Sequence, residues 1–402
     1  MTSDAPAVDE DEVNTWFEDE SDEEFQEPSA SAAAPSPTDP AEKYAKSQLR
    51  VVRETKDYAL DYLRHALQPG RELIDISPAY QRRLRWTNKK KSLLIESFLL
   101  NIPVPPIFLF ERDYNAYEVI DGRQRLDAVS TFLANEYALS GLEYWPELNR
   151  KRFTDLPQIL QRGLLRRSLP AVVLLAETHS SGEEEIDVRR VLFDRLNTGG
   201  IQLNPQELRN ALYPGALNAL LIRLARSAPF TQAWGIPPYT PGEEAEPSEH
   251  LLGNPIYASL ADAELVLRFF ALRDALESDK RGSLRRILDR YMAANASIDP
   301  ASADRMESEY IDLLGRLVDL FNGDPFRLPT TGRPSRPLYD ALMIALSRNR
   351  SMELDEHAVR EALRSALAEP AVYDVLVGRG NTIGAIKDRV DSAESILRST
   401  QA

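Results

Sequence analysis

A chain of 402 residues can hold two or three domains and a full apolar core, and its net charge of −15 speaks at first against a nucleic-acid partner. With no cysteine anywhere, disulfides, thiolate-bound zinc and a thiol nucleophile are excluded. The acids are unevenly placed: residues 1–42 hold 14 of them and no lysine or arginine, so subtracting them from −15 leaves −1 for the rest, which is free to carry basic patches.

Residues 1–42 read as a disordered acidic tail. DEDEVNTWFEDESDEEF runs into the Pro/Ser/Ala-rich PSASAAAPSPTDP, and neither has the apolar content to offset ordering entropy. Trp16, Phe17 and Phe25 stand among the acids and mark an acidic-aromatic peptide that either solubilises the chain or docks on a basic surface. The acidic start lacks a signal peptide's basic and apolar regions, and the longest apolar run, Leu169 to Ala176, is too short to span a bilayer. A cytoplasmic location with no membrane partner is the expectation.

From Lys43 the composition becomes globular. The pattern predicts a helix within Val51–Leu67, at least from Tyr58 onward, then a strand over Leu73–Ile76. Thr87 is a candidate N-cap for a helix with an apolar stripe of Leu94, Phe98 and Ile102. Just before and inside its first turn, Arg82, Arg83, Arg85, Lys89, Lys90 and Lys91 gather around Trp86. Cations there oppose the helix dipole unless an anion compensates them, so these six residues are the predicted DNA-binding footprint, with a solvated basic face as the plain alternative.

Pro103 to Pro106 break the chain before a strand over Ile107–Phe110, a turn near Asp113–Asn115 and a second strand over Tyr117–Ile120. Asp121-Gly122 then reads as a tight turn, and Leu126, Val129 and Leu133 recur at helical spacing. Strand, turn and helix in that order leave orphan backbone N–H groups at a positive dipole end, where anions bind. Arg123 and Arg125 in the first helical turn add charge-assisted donors for phosphate oxygens. Gly122 would let a ligand approach the backbone, and Asp121 is placed to orient an arginine or hold a divalent metal. A capped helix with surface arginines is the bland alternative.

Leu169–Glu177 is a further strand, apolar enough to be central in a small sheet. A helix over Asp187–Leu196 ends in Asn197-Thr198-Gly199-Gly200, and Asn204-Pro205 opens another that carries Glu207 and Asn210. Proline and acid between Trp234 and Pro255 mark a linker or insertion, and beyond it the pattern is almost wholly helical, from Tyr257 to Leu367. The expected domains are thus the tail 1–42, a mixed domain over 43–233, a linker over 234–255 and an α-helical domain over 256–402.

The stretch IDGRQRL from Ile120 to Leu126 resembles the IDGQQRL signature of the N-terminal domain of GmrSD-type modification-dependent restriction enzymes, a branch of the ParB/sulfiredoxin-like superfamily. Tyr80-Gln81-Arg82 with Trp86 looks like that family's first box, and Phe193 to Gly200 running on to Gln206–Asn210 looks like its third. The resemblance covers about Ser47 to Tyr213. Arg123 stands where the family has glutamine, and Asp127 where it has a small polar residue. The resemblance implies an α+β fold, a small ParB/sulfiredoxin-like mixed sheet with helices, followed here by an α-helical C-terminal domain. It also implies nucleotide binding, with Tyr80, Gln81, Arg82, Gly122, Arg123, Arg125, Asn197, Gly199 and Gly200 at the nucleotide.

Two functional readings stay open. In the first, the chain is a nucleotide-responsive component of a restriction or anti-phage system that binds an NTP with Mg²⁺ and engages DNA. If it hydrolyses the NTP, Arg123 and Arg125 neutralise phosphate charge, Asp121 holds the metal and Gln124 orients water, with Asp121, Gln124 and Arg125 the candidate catalytic residues. In the second, it is a non-catalytic DNA-binding or adaptor module working with a separate nuclease or defence protein. Nuclease action through the motif itself is a weaker third reading. His65, His179, His250 and His357 are scattered and match no HNH or HExxH pattern, and no GxxxxGK[ST] loop occurs, so DNA cleavage by this chain alone is not expected.

Overall fold

The computed structural model describes residues 8–18, 53–68, 73–75, 86–174, 204–244, 247–278, 282–378 and 380–401. Among them two compact units form. One holds the described residues between 53 and 174, the other residues 8–18 together with 204–401. Each has its own apolar core. The expected boundary at 233 thus differs from the observed one, since the helices after Asn204 belong to the second unit.

The first described element is a helix, α1 (Glu10–Glu18), inside the stretch expected to be a structureless tail. Among the described residues 8–18 that expectation is corrected: Val13, Trp16 and Phe17 are buried in the core of the helical unit. Nine residues rarely hold a helix in water, so packing rather than propensity makes this one. The rest of the tail, including the Pro/Ser/Ala-rich run, lies outside the described residues.

The sheet unit opens with β1 (Arg53–Ala59) and α2 (Leu60–Ala66). The helix begins close to the expected Tyr58, but 53–59 is strand, not helix. β2 (Ile74–Asp75), α3 (Asn88–Leu99), β3 (Ile107–Asp113), β4 (Ala116–Asp121), α4 (Arg123–Leu133), α5 (Gln158–Leu165) and β5 (Ser168–Leu174) follow. The strand order is β1-β5-β3-β4-β2, a mixed sheet. β5 runs antiparallel to β1 and parallel to β3, β3 antiparallel to β4, and β4 parallel to β2. β5 is flanked on both sides, as its apolar run implied.

Alternation decides which face is covered. Leu169, Ala171 and Val173 of β5 are buried while Pro170 and Val172 are half-buried, and Ile107 and Leu109 of β3 follow the same period. Helical residues Leu63, Ile95, Phe98, Leu126, Val129 and Phe132 join them in one core. Thr87 caps α3 as predicted, accepting the Lys90 N–H at 3.3 Å. Ile102 falls past the helix end and is 48% exposed, so the predicted apolar stripe closes at Phe98.

The second unit is helical: α6 (Pro205–Leu212), α7 (Ala216–Leu224), α8 (Ala228–Trp234), α9 (Glu249–Leu252), α10 (Pro255–Ala258), α11 (Ala261–Glu277), α12 (Leu284–Asn295), α13 (Pro300–Leu320), α14 (Arg336–Arg348), α15 (Glu356–Ala368), α16 (Pro370–Val377) and α17 (Ile383–Arg398). α11 and α14 are buried over most of their circumference, as befits central helices. Their polar residues are paired inside: Arg268 with Asp340, Arg209 with Asp289 at 2.9 Å, and Glu264 with both Arg209 and Arg336 at 3.5 Å. The stretch expected as a linker, 234–255, carries α9 and buries Glu243 against Arg226 at 2.5 Å. The chain is therefore α+β, a five-stranded mixed sheet with helices followed by a helical region.

Candidate functional site

β4 is buried from Tyr117 to Ile120 and delivers the chain to Asp121 with little freedom of position. Gly122 then turns it at φ 93°, a left-handed value that side chains disfavour. A Cβ on this glycine would also lie 2.3 Å from Cγ2 of Ile107. The glycine is therefore explained by the turn and by close packing on β3; the space expected for a ligand's approach at its Cα is filled by Ile107. The Gly122 carbonyl accepts the N–H groups of Arg125 and Leu126, both at 3.0 Å, and starts α4. Gly122, at the N-cap, has no side chain with which to cap the helix.

Arg125 bends back over the turn. Its Nη2 donates to Asp121 Oδ2 at 2.7 Å and to the Pro106 carbonyl at 3.3 Å, so the carboxylate predicted to orient an arginine does so. Asp121 remains 40% exposed in its side chain, Arg125 15%. The Arg125 Nε is buried and meets no hydrogen-bond partner among the described residues. Arg123 is half-buried. No cluster of three or more histidine, aspartate or glutamate side chains suited to a metal occurs among the described residues. The Asp121 carboxylate is thus engaged by Arg125.

Gln124 is engaged elsewhere than its predicted water-orienting role requires: its Oε1 accepts the backbone N–H of Trp86 at 3.1 Å. That bond ties the start of the basic helix α3 to the arginine turn. Lys90 lies over the Trp86 ring at 4.8 Å, and Lys89 and Lys90 are exposed. Lys91 is not. It is buried, forms a 2.7 Å ion pair with Asp127 and sits over the Tyr137 ring at 5.6 Å, so its predicted place on a DNA-binding surface is corrected. Burial, with Asp127 adding to it, pushes the Tyr137 hydroxyl well above its ordinary value. Tyr80, Gln81, Arg82, Arg83, Arg85, Asn197, Gly199 and Gly200 lie outside the described residues.

Sequence reasoning passed over Glu96. Its buried carboxylate accepts the N–H groups of Glu143, Tyr144 and Trp145 at 3.2, 2.9 and 2.9 Å and folds that loop onto α3. The available signal was a glutamate set among the apolar Leu94, Ile95 and Phe98 of α3. The end of the third box is also structural. Asn204 and Glu207 form a capping box, while Gln206, Arg209 and Asn210 are buried in the helical unit.

A strand-to-helix turn on a mixed sheet, carrying a left-handed glycine and an arginine locked to the preceding aspartate, defines the class of the first unit: an α+β domain organised on the β4–α4 turn. Residues 63–214 match the family model of the GmrSD restriction endonuclease, N-terminal domain. The match starts within α2 and ends just past α6, so it extends into the first helix of the second unit. No curated protein and no solved structure matches the chain. No described helix is long and apolar enough to cross a membrane.

Proposed function

We propose that this chain is a nucleotide-binding component of a restriction or anti-phage defence system and that it engages DNA. The observation that carries the reading is the Arg125 guanidinium, held by Asp121 and the Pro106 carbonyl beside the glycine-started N-terminus of α4. Cationic donors and the positive end of the helix dipole converge there, and together they suit a compact polyphosphate. Mg²⁺ would arrive with the phosphates and supply charge neutralisation, with Asp121 the carboxylate nearest the turn. The family-model match of residues 63–214 supports the defence context and a separate nuclease as partner.

Calorimetry with each NTP and Mg²⁺ tests this. Wild type should bind, and Arg125→Ala should lose binding at least tenfold while its circular dichroism stays unchanged. Absence of binding in wild type, or equal binding by the variant, overturns the reading. The non-catalytic alternative, a DNA-binding adaptor, draws on exposed Lys89 and Lys90 beside Trp86. Its mark would be DNA affinity that falls steeply with salt and ignores nucleotide.

A further inference from the structure

The helical unit carries α1 in the manner of a bound peptide. Val13, Trp16 and Phe17, at positions i, i+3 and i+4, are the anchors. Trp16 meets Trp234 edge-on at 5.9 Å, and the helix packs against α10. Two arginines read its polar ends. Arg333 pairs with Asp9 at 3.2 Å and Glu12 at 3.0 Å, and the buried Arg336 donates to the Trp16 carbonyl at 2.7 Å while lying over its ring at 5.6 Å. Acids in the first turn and a cation on a last-turn carbonyl both complement the helix dipole, so the seat selects direction as well as composition.

We propose that the face formed by Trp234, α10, Arg333 and Arg336 is a docking site for a short acidic amphipathic helix, and that α1 is its exchangeable intramolecular occupant. Three features support exchange. A helix of nine residues persists in water only while docked. In sequence, α1 stands apart from the unit that holds it, whose next described residue is Asn204. Its anchors are side chains, as in helix-in-groove recognition, where tethering rather than contact area keeps the ligand in place. Occupancy also reaches inward. Arg336, which grips Trp16, is 3.5 Å from Glu264, itself 3.5 Å from Arg209 in α6, within the family-matched stretch. A partner helix with acids in its first turn and bulky apolar residues at i, i+3 and i+4 competes with α1.

The test uses the full chain with a specific protease site placed in the proline-rich stretch 28–40. After cleavage, a fluorescent peptide of residues 8–18 should enter one-to-one, at least tenfold more than in the uncut chain. A peptide carrying Trp16→Ala and Phe17→Ala should not enter, and Arg333→Glu in the protein should weaken capture about tenfold. Failure of the cleaved protein to take up the peptide makes α1 a permanent core element and overturns the proposal. Equal uptake of the substituted peptide, or equal uptake by the uncut chain, overturns it as well. A dimer of the uncut chain that exchanges α1 between copies refutes the intramolecular assignment.

Discussion

Lys91 and Asp127 form an ion pair at 2.7 Å that joins the first turn of α3 to α4, and it accounts for two features at once. It withdraws one lysine from the basic cluster, and it gives the half-buried Asp127 a cationic partner. The Lys91 side chain is 11% exposed and that of Asp127 31%, so the pair is partly desolvated and stronger than a surface pair. Lys91→Met should lower stability to chemical denaturation by about 1–3 kcal/mol, because it leaves Asp127 half-buried without its cation. Lys89→Ala with Lys90→Ala should leave stability within about 0.5 kcal/mol of wild type and, if the DNA reading holds, weaken DNA binding at low salt. Unchanged stability in Lys91→Met would remove the pair's structural role.

Gly122→Ala should be among the most damaging conservative changes in the sheet unit. A left-handed φ costs an alanine about 1–2 kcal/mol, and the added methyl must push Ile107 aside from 2.3 Å. A loss of about 3 kcal/mol is expected in urea melts. Pairing Gly122→Ala with Ile107→Ala should recover part of the overpacking component and none of the backbone strain. A tolerated Gly122→Ala would mean that the turn is not held at φ 93°.

Glu243 gives the helical unit a signature in acid. Burial alone would push its carboxyl up, yet the Arg226 guanidinium and the Thr240 donors together hold it below its usual 4.5. A carboxylate whose folded value is depressed stabilises fully above its unfolded value, and that stability is lost as pH falls through the lower folded value. Wild type should therefore lose stability below about pH 4.5 partly through this group. Glu243→Gln should cost about 3 kcal/mol at neutral pH, since Arg226 stays buried beside a poorer acceptor, and should flatten the acid limb. Parallel acid limbs for the two proteins would show that Glu243 does not drive the dependence.

Local pattern and turn chemistry are legible in sequence because they depend on neighbours a few residues away. The Thr87 cap, the Asp121-Gly122 turn, the period of α4, the apolar β5 and the long helices α11 to α15 all follow from spacing. The α+β class came instead with the resemblance carried by IDGRQRL. What sequence could not decide was the use made of charged and amphipathic segments. β1 reads Arg-Glu-Thr-Lys-Asp-Tyr-Ala, with no alternating apolar face, and becomes a strand because β5 offers it a full antiparallel ladder. α1 is a helix because Trp234, Arg333 and Arg336 receive it. Lys91 and Gln124 read as surface or catalytic side chains; their partners, Asp127 and the Trp86 amide, are 36 and 38 residues away and are brought close by the packing of α3 on α4. Propensity and periodicity are sums over near neighbours, whereas edge pairing, peptide docking and buried ion pairs draw their free energy from contacts that exist only once the chain has folded.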